Sequence, residues 1–313
     1  MAWPLATRAQ QAKVPEIGFL FGATREAAMP YLPGLRRGLM EIGYIEGKNL
    51  RIEYRWADLQ FDRLRAFADE LVRRRVAVIV STGITRATAA ALAATKTIPV
   101  VFITGTDPVK LGWVQSLNRP SGNATGVSFL SNGLEPKRLG LLHDTVPRVT
   151  VIGVLLNPQN PTSQQQTKSL ADAAHSLGLT LHFANIAREI DLEPALNSVL
   201  QRGAQAVAVT TDGGFLTWHE QFVAQTTRAR IPAIFHDREF TAHGGLLSYG
   251  ASIREAWRLA GNYAGRILKG DKLGDLPIQQ STKTEFVINL TTAKSLKLEI
   301  PSGMMAIADE VIE

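Results

Sequence analysis

The chain has 313 residues, 45% of them hydrophobic and 20% charged, a size and balance suited to two globular lobes rather than one core. Its formal net charge is +6, but no basic run is interleaved with aromatics, so the charge makes no case for a nucleic-acid partner. Cysteine is absent, which excludes thiol catalysis, disulfides and thiolate-bound metal.

In chain order, residues 1–13 are rich in small side chains, and Thr7-x-Ala9 resembles the small-x-small site cut by signal peptidase. No charged or apolar region precedes it, so this stretch is expected to be the remnant of an export signal. A first strand is predicted over 16–21 and a helix over 31–42, stopped by Gly43. Residues 50–56 alternate, with Ile52, Tyr54 and Trp56 against Arg51, Glu53 and Arg55, which predicts a strand near a sheet edge. A helix over 61–74, a strand over 76–81, a helix over 86–94 and a strand over 99–103 follow. A further strand at 124–127 leaves the first lobe.

The second lobe repeats the scheme. Helices are predicted over 136–146, 162–177 and 192–202, and strands over 149–156, 179–184, 206–211 and 233–236. An extended Leu246-Leu247-Ser248-Tyr249-Gly250, an amphipathic helix over 253–268, and strands over 277–281 and 285–289 complete the pass. Strand–helix alternation of this kind argues for an α/β fold of parallel sheets covered on both faces by helices.

Three phrases occur twice in the same order. Ile17-Gly18-Phe19-Leu20, Ala77-Val78-Ile79-Val80-Ser81-Thr82 and Ile98-Pro99-Val100-Val101-Phe102 form the first set. Ile152-Gly153-Val154-Leu155, Ala206-Val207-Ala208-Val209-Thr210-Thr211 and Ile231-Pro232-Ala233-Ile234-Phe235 form the second. A duplicated unit has two sets of strand ends, and ligands in such sheets bind beyond the carboxyl ends of the strands. The expected site is therefore a cleft between two lobes.

The residues at those ends are small, polar and mostly uncharged. They include Thr24, Thr82, Thr85, Thr106 and Asp107 in the first copy, and Asn157, Asn160 and Asp212 in the second. Helix termini beside them would receive a carboxylate, and either aspartate an ammonium, although the same residue types are also favoured helix N-caps. Phe21, Phe129, Phe215, Trp218 and Tyr249 are candidate apolar walls.

Enzyme signatures are mostly missing. There is no G-x-G-x-x-G after the first strand, no P-loop and no G-x-S-x-G elbow. His236-Asp237 reads as polar cleft lining. His219-Glu220 lies on a predicted helix without a second metal ligand in sequence. No cofactor or metal is expected.

The chain also resembles the ABC-transporter substrate-binding proteins of the tryptophan/tyrosine-type uptake family, from about Pro15 to Glu313. The resemblance rests on residues 38–49 (Gly-Leu-Met-Glu-Ile-Gly-Tyr-Ile-Glu-Gly-Lys-Asn), on 98–102, and on Thr106-Asp107-Pro108-Val109-Lys110-Leu111-Gly112. Residues 118–127, 245–250 and 267–270 carry it further. It implies a type I periplasmic binding fold of two Rossmann-like lobes joined by three crossings near Gly126, Ser248 and Gln279. The first lobe would comprise 14–125 with 248–278, and the second 126–247 with 279–313.

The resemblance also implies a periplasmic protein without catalytic activity. It would deliver a small carboxylate-bearing solute, an amino acid or aromatic acid, to an ABC permease and its ATPase at the inner membrane. The implied cleft positions are Thr82, Thr85, Thr106, Asp107, Asn157, Asn160, Asp212 and Tyr249. Thr82-Gly83-Ile84-Thr85 departs from the phrase that aromatic amino acid binders of the family often carry. Two other architectures fit the pattern, a two-domain α/β enzyme such as a nucleotide-sugar transferase and an effector-sensing domain.

Overall fold

A computed structural model describes residues 14–120, 122–129 and 133–313, and the expected export-signal remnant lies outside them. The first half runs β1 (Glu16–Phe21), α1 (Arg25–Ala28), α2 (Leu32–Glu41), β2 (Arg51–Trp56), α3 (Arg63–Arg74), β3 (Val78–Thr82), α4 (Thr85–Ala94), β4 (Val100–Thr104) and β5 (Ala124–Phe129). The second runs α5 (Glu135–Thr145), β6 (Val151–Leu156), α6 (Ser163–Leu177), β7 (Thr180–Asn185), α7 (Leu192–Gln201), β8 (Ala206–Val209), α8 (His219–Arg228), β9 (Ala233–Phe235), α9 (Arg238–Ala242) and β10 (Leu247–Ala251). The chain closes with α10 (Ile253–Leu268), β11 (Gln279–Ser281), β12 (Thr284–Asn289), α11 (Leu290–Ser295), α12 (Ser302–Ile307) and β13 (Glu310–Ile312).

Two separate sheets result. The first has the order β11-β5-β4-β3-β1-β2 and the second β13-β12-β10-β9-β8-β6-β7. Within them β5-β4-β3-β1-β2 and β10-β9-β8-β6-β7 are the same topology twice, so the phrases repeated in sequence are equivalent strands of two lobes. Among the described residues, pairing is parallel except between β10 and β12. Central strands β3, β4 and β8 are buried along their length, as helices on both faces require. β2 alternates in sequence because it is an edge strand.

The crossings between lobes lie a few residues later than expected. β5 stays in the first sheet to Phe129, β10 in the second to Ala251, and β11 in the first to Ser281. Residues 126–129 and 279–281 therefore pair within the first sheet and 248–251 within the second. Strand pairing continues to the edge of the cleft, and nothing in the residue pattern marks where it stops. At the second crossing Ser252 caps α10 by accepting from Glu255 N, and its hydroxyl donates to Glu285 beside the third crossing at 2.6 Å.

Helix α10 returns the chain to the first lobe by packing on α2 at backbone range. A Cβ at Gly38 would overlap the Arg258 carbonyl oxygen, and one at Gly261 would overlap that of Leu35. Glycine costs about 1 kcal/mol in a helix interior relative to alanine, so its placement here reflects the approach it permits. The contact seats buried Trp257 against Phe19 and Phe21. Gly38→Ala is expected to destabilise the protein by about 1–3 kcal/mol through overpacking. Thermal unfolding should show a midpoint several degrees lower, and an unchanged midpoint would mean the helices do not approach this closely.

Candidate functional site

The carboxyl ends of both sheets face one cavity of about 600 Å³ between the lobes. The first lobe contributes the ends of β1, β3, β4 and β5 together with α10, and the second the ends of β6, β8 and β9. The lobes touch at equivalent loops, where a Cβ on Gly213 would lie 2.6 Å from the Gly83 carbonyl oxygen. Gly83 has φ +92° and backs onto the Phe21 ring, so a side chain there meets both strain and a clash.

On the second-lobe side the polar centre is Asp212. Its Oδ2 accepts from Asn157 Nδ2 at 3.1 Å and Asn160 Nδ2 at 2.8 Å, and its Oδ1 from the Gly214 backbone N–H at 2.9 Å. Asn160 also donates to the Thr211 carbonyl, while its Oδ1 accepts from the backbone and hydroxyl of Thr162. Burial pushes the Asp212 carboxyl up from its ordinary range, and these donors pull it back. Opposite stands the N-terminus of α4, ten residues long, whose N-cap Ile84 supplies no capping side chain. Its first turn, with Thr85 and Arg86, lines the cavity. One side of the cleft thus suits a cation and the other an anion.

Apolar walls come from Phe21, Phe129 and Trp257 of the first lobe and Leu216 and Trp218 of the second. His236, 5% exposed, adds an imidazole whose two nitrogens have no hydrogen-bond partner among the described residues. The Asp212 backbone faces this ring without reaching hydrogen-bond geometry. Burial, reinforced by the Arg138 guanidinium, holds its pKa down at about 3, so the ring is neutral at physiological pH. Arg138 is itself buried, donating to the Tyr249 carbonyl at 2.9 Å and the Thr211 hydroxyl at 3.1 Å.

Of the residues singled out in sequence, Thr82, Thr85, Thr106, Asn157, Asn160 and Asp212 line the cavity. Thr24, Asp107 and Tyr249 do not. Thr24 caps α1 by accepting from Ala27 N, and Asp107 accepts from Val109 N and Lys110 N to close a turn. The Tyr249 ring packs edge-on against Phe286, 6.3 Å between centroids, in the second lobe's core. Phe215 is also core rather than wall, being fully buried against Phe222. Trp257, Tyr31 and Leu216 line the cavity without having stood out in sequence. Trp257 lies on the apolar stripe of an amphipathic helix, where sequence gives no sign that one edge reaches a cleft.

Known proteins resemble this chain over most of its length. The family model described as ABC transporter substrate binding protein matches residues 24–312. A tyrosine-binding protein of Clostridioides difficile (strain R20291) is 28% identical over 267 residues, 85% of this chain and 76% of that protein. Among solved structures, a conserved domain protein from Vibrio cholerae superposes with TM-score 0.84 at 27% identity, covering 96% of this chain and 100% of the other. An ABC domain from Streptococcus pneumonia in complex with L-Trp superposes with TM-score 0.83 at 24% identity, covering 95% and 99%.

Beside the cleft, Tyr31 Oη of the first lobe donates to Asp237 Oδ1 of the second at 2.7 Å, and Oδ1 also accepts from Glu239 N to cap α9. Burial pushes the Asp237 pKa up to about 7. A carboxyl raised in the folded state stabilises fully below its unfolded pKa, about 3.9, and that contribution is lost as pH rises toward 7. Asp237→Asn keeps an acceptor for both donors and cannot ionise. Relative to the parent at the same pH, the variant should therefore gain stability between pH 4 and 7, by about 1 kcal/mol or more, and no further above pH 8. Parallel denaturation series would check this, and a pH-independent difference would show that Asp237 is not held neutral.

Proposed function

Because this chain belongs to the ABC transporter substrate-binding protein family, we propose that it captures an aromatic α-amino acid or closely related aromatic acid for an importer. It has the type I periplasmic binding fold, and its family and relatives are substrate-binding proteins rather than enzymes, which sets aside the transferase reading. In this reading the protein works in the periplasm and closes on its solute by hinge bending. It then presents the solute to a permease driven by an ATPase.

The observation that carries the choice of solute is the pairing of unlike ends in one apolar slot. Asp212, with Asn157 and Asn160 holding it, would take an ammonium. The uncapped start of α4, with Thr82 and Thr85, would take a carboxylate. The aromatic walls would take a ring. The tyrosine-binding relative and the L-Trp complex support the same class.

Magnitudes agree with this division of labour. Micromolar binding needs about 8 kcal/mol. Burying an aromatic side chain of roughly 150–250 Å² at about 25 cal/mol per Å² contributes about 4–6 kcal/mol. Each charged hydrogen bond adds about 1.5–3 kcal/mol before the costs of ordering both partners. The ring therefore supplies most of the affinity and the polar ends supply orientation. A cavity near 600 Å³ is in the range that small-molecule sites occupy.

The test is calorimetry with a matched panel: L-tryptophan, L-tyrosine, L-phenylalanine, their deaminated acids and their decarboxylated amines. Complete amino acids should bind tightest, and removing either charged end should weaken binding about tenfold or more, or about 1.4 kcal/mol. Asp212→Ala should weaken the amino acids about tenfold while leaving the deaminated acids nearly unchanged. Preference for aliphatic solutes or sugars would contradict the reading.

A further inference from the structure

The sequence leaves His219-Glu220 without a second histidine, and the fold supplies one. His219 and Glu220 open α8, and His243 follows directly on α9, which packs against it. One ligand atom from each of the three lies within 4.8 Å of the other two, and the imidazole centroids are 4.4 Å apart with their planes at 72°.

The hydrogen bonds give this cluster its chemistry. His219 Nδ1 lies 2.8 Å from the Leu216 carbonyl oxygen, and His243 Nδ1 2.8 Å from that of Glu239. A carbonyl only accepts, so each Nδ1 carries a proton, and in the neutral tautomer that metal binding requires Nε2 is the nitrogen with the lone pair. That second bond to a backbone carbonyl is what orients a metal-ligating histidine and raises its basicity. His219 Nε2 is buried and has no hydrogen-bond partner among the described residues, a state that costs free energy unless something occupies it. Glu220 and His243 are exposed, so closing ligand atoms from within 4.8 Å onto one ion displaces side chains at the surface rather than in the core.

We propose that His219, Glu220 and His243 form a divalent zinc site in the second lobe, separate from the solute cavity. Two neutral imidazoles and one carboxylate are a donor set that suits zinc and not magnesium or calcium, which prefer all-oxygen shells. Three protein ligands leave a fourth tetrahedral position for water. A bound ion ties the start of α8 to the residue that follows α9. Leu216, whose carbonyl holds the His219 ring, and Trp218 both line the solute cavity, so the ion would also steady that wall.

The test uses the full chain without a histidine tag, stripped with chelator and titrated with zinc chloride by calorimetry, with thermal unfolding run in parallel. One zinc per chain should bind and raise the melting midpoint, since an ion bound only by the folded state stabilises it. Glu220→Gln alters an exposed side chain and should leave the metal-free midpoint unchanged, whereas His243→Gln also gives up the ring's bond to the Glu239 carbonyl and is compared with its own metal-free midpoint. His243→Gln should weaken zinc binding at least about tenfold and Glu220→Gln by a smaller factor, and magnesium should have no effect. Absence of saturable binding at one zinc per chain would overturn the proposal, as would zinc affinity unchanged in both variants.

Discussion

Parallel strand pairing is the constraint on which everything else here depends. It sends the carboxyl ends of successive strands to one edge of a sheet, and the chain builds such an edge twice. Three crossings, after Phe129, Ala251 and Ser281, join the lobes so that the two edges face each other. The strand ends and loops at those edges carry Thr82, Gly83 and Thr85 on one side and Asn157, Asn160 and Asp212 on the other.

A cleft made this way has to solve a solvation problem. Asp212 and His236 are both largely removed from water, and among the described residues neither is paired with an opposite charge in the manner of a salt bridge. Asp212 is held by two asparagine amides and a backbone N–H, whereas His236 is kept neutral by burial and by Arg138. The first arrangement orients a carboxylate without neutralising it, and the second leaves hydrogen-bonding capacity unspent inside the cavity. Both are costly in a folded protein unless a guest makes use of them. The aromatic rings around them supply the apolar area from which affinity comes.

Fold and site were legible to different depths. The duplicated phrases predict two lobes because buried parallel strands read as continuous apolar runs, and β1, β3, β4 have counterparts in β6, β8, β9. Helix α10 is readable to its ends from amphipathic spacing. The short α1, α9, α11 and α12 are not, since a helix of four to six residues has no periodicity to detect. At the site, polar strand ends point to loops that line the cavity but do not separate cavity residues from caps, so Thr24 and Asp107, singled out with them, are a helix cap and a turn closer. Trp257 is hidden by its helix, and the meeting of His243 with His219 depends on tertiary packing alone.

A solute gripped by both lobes at once must protect both rims of the cleft together. Hydrogen exchange followed by mass spectrometry, with and without saturating aromatic amino acid, measures this most directly. The expected result is added protection in residues 82–87 and in residues 211–216 at the same time, with little change at the far ends of the sheets. Protection confined to one lobe, or none despite saturation, would contradict it.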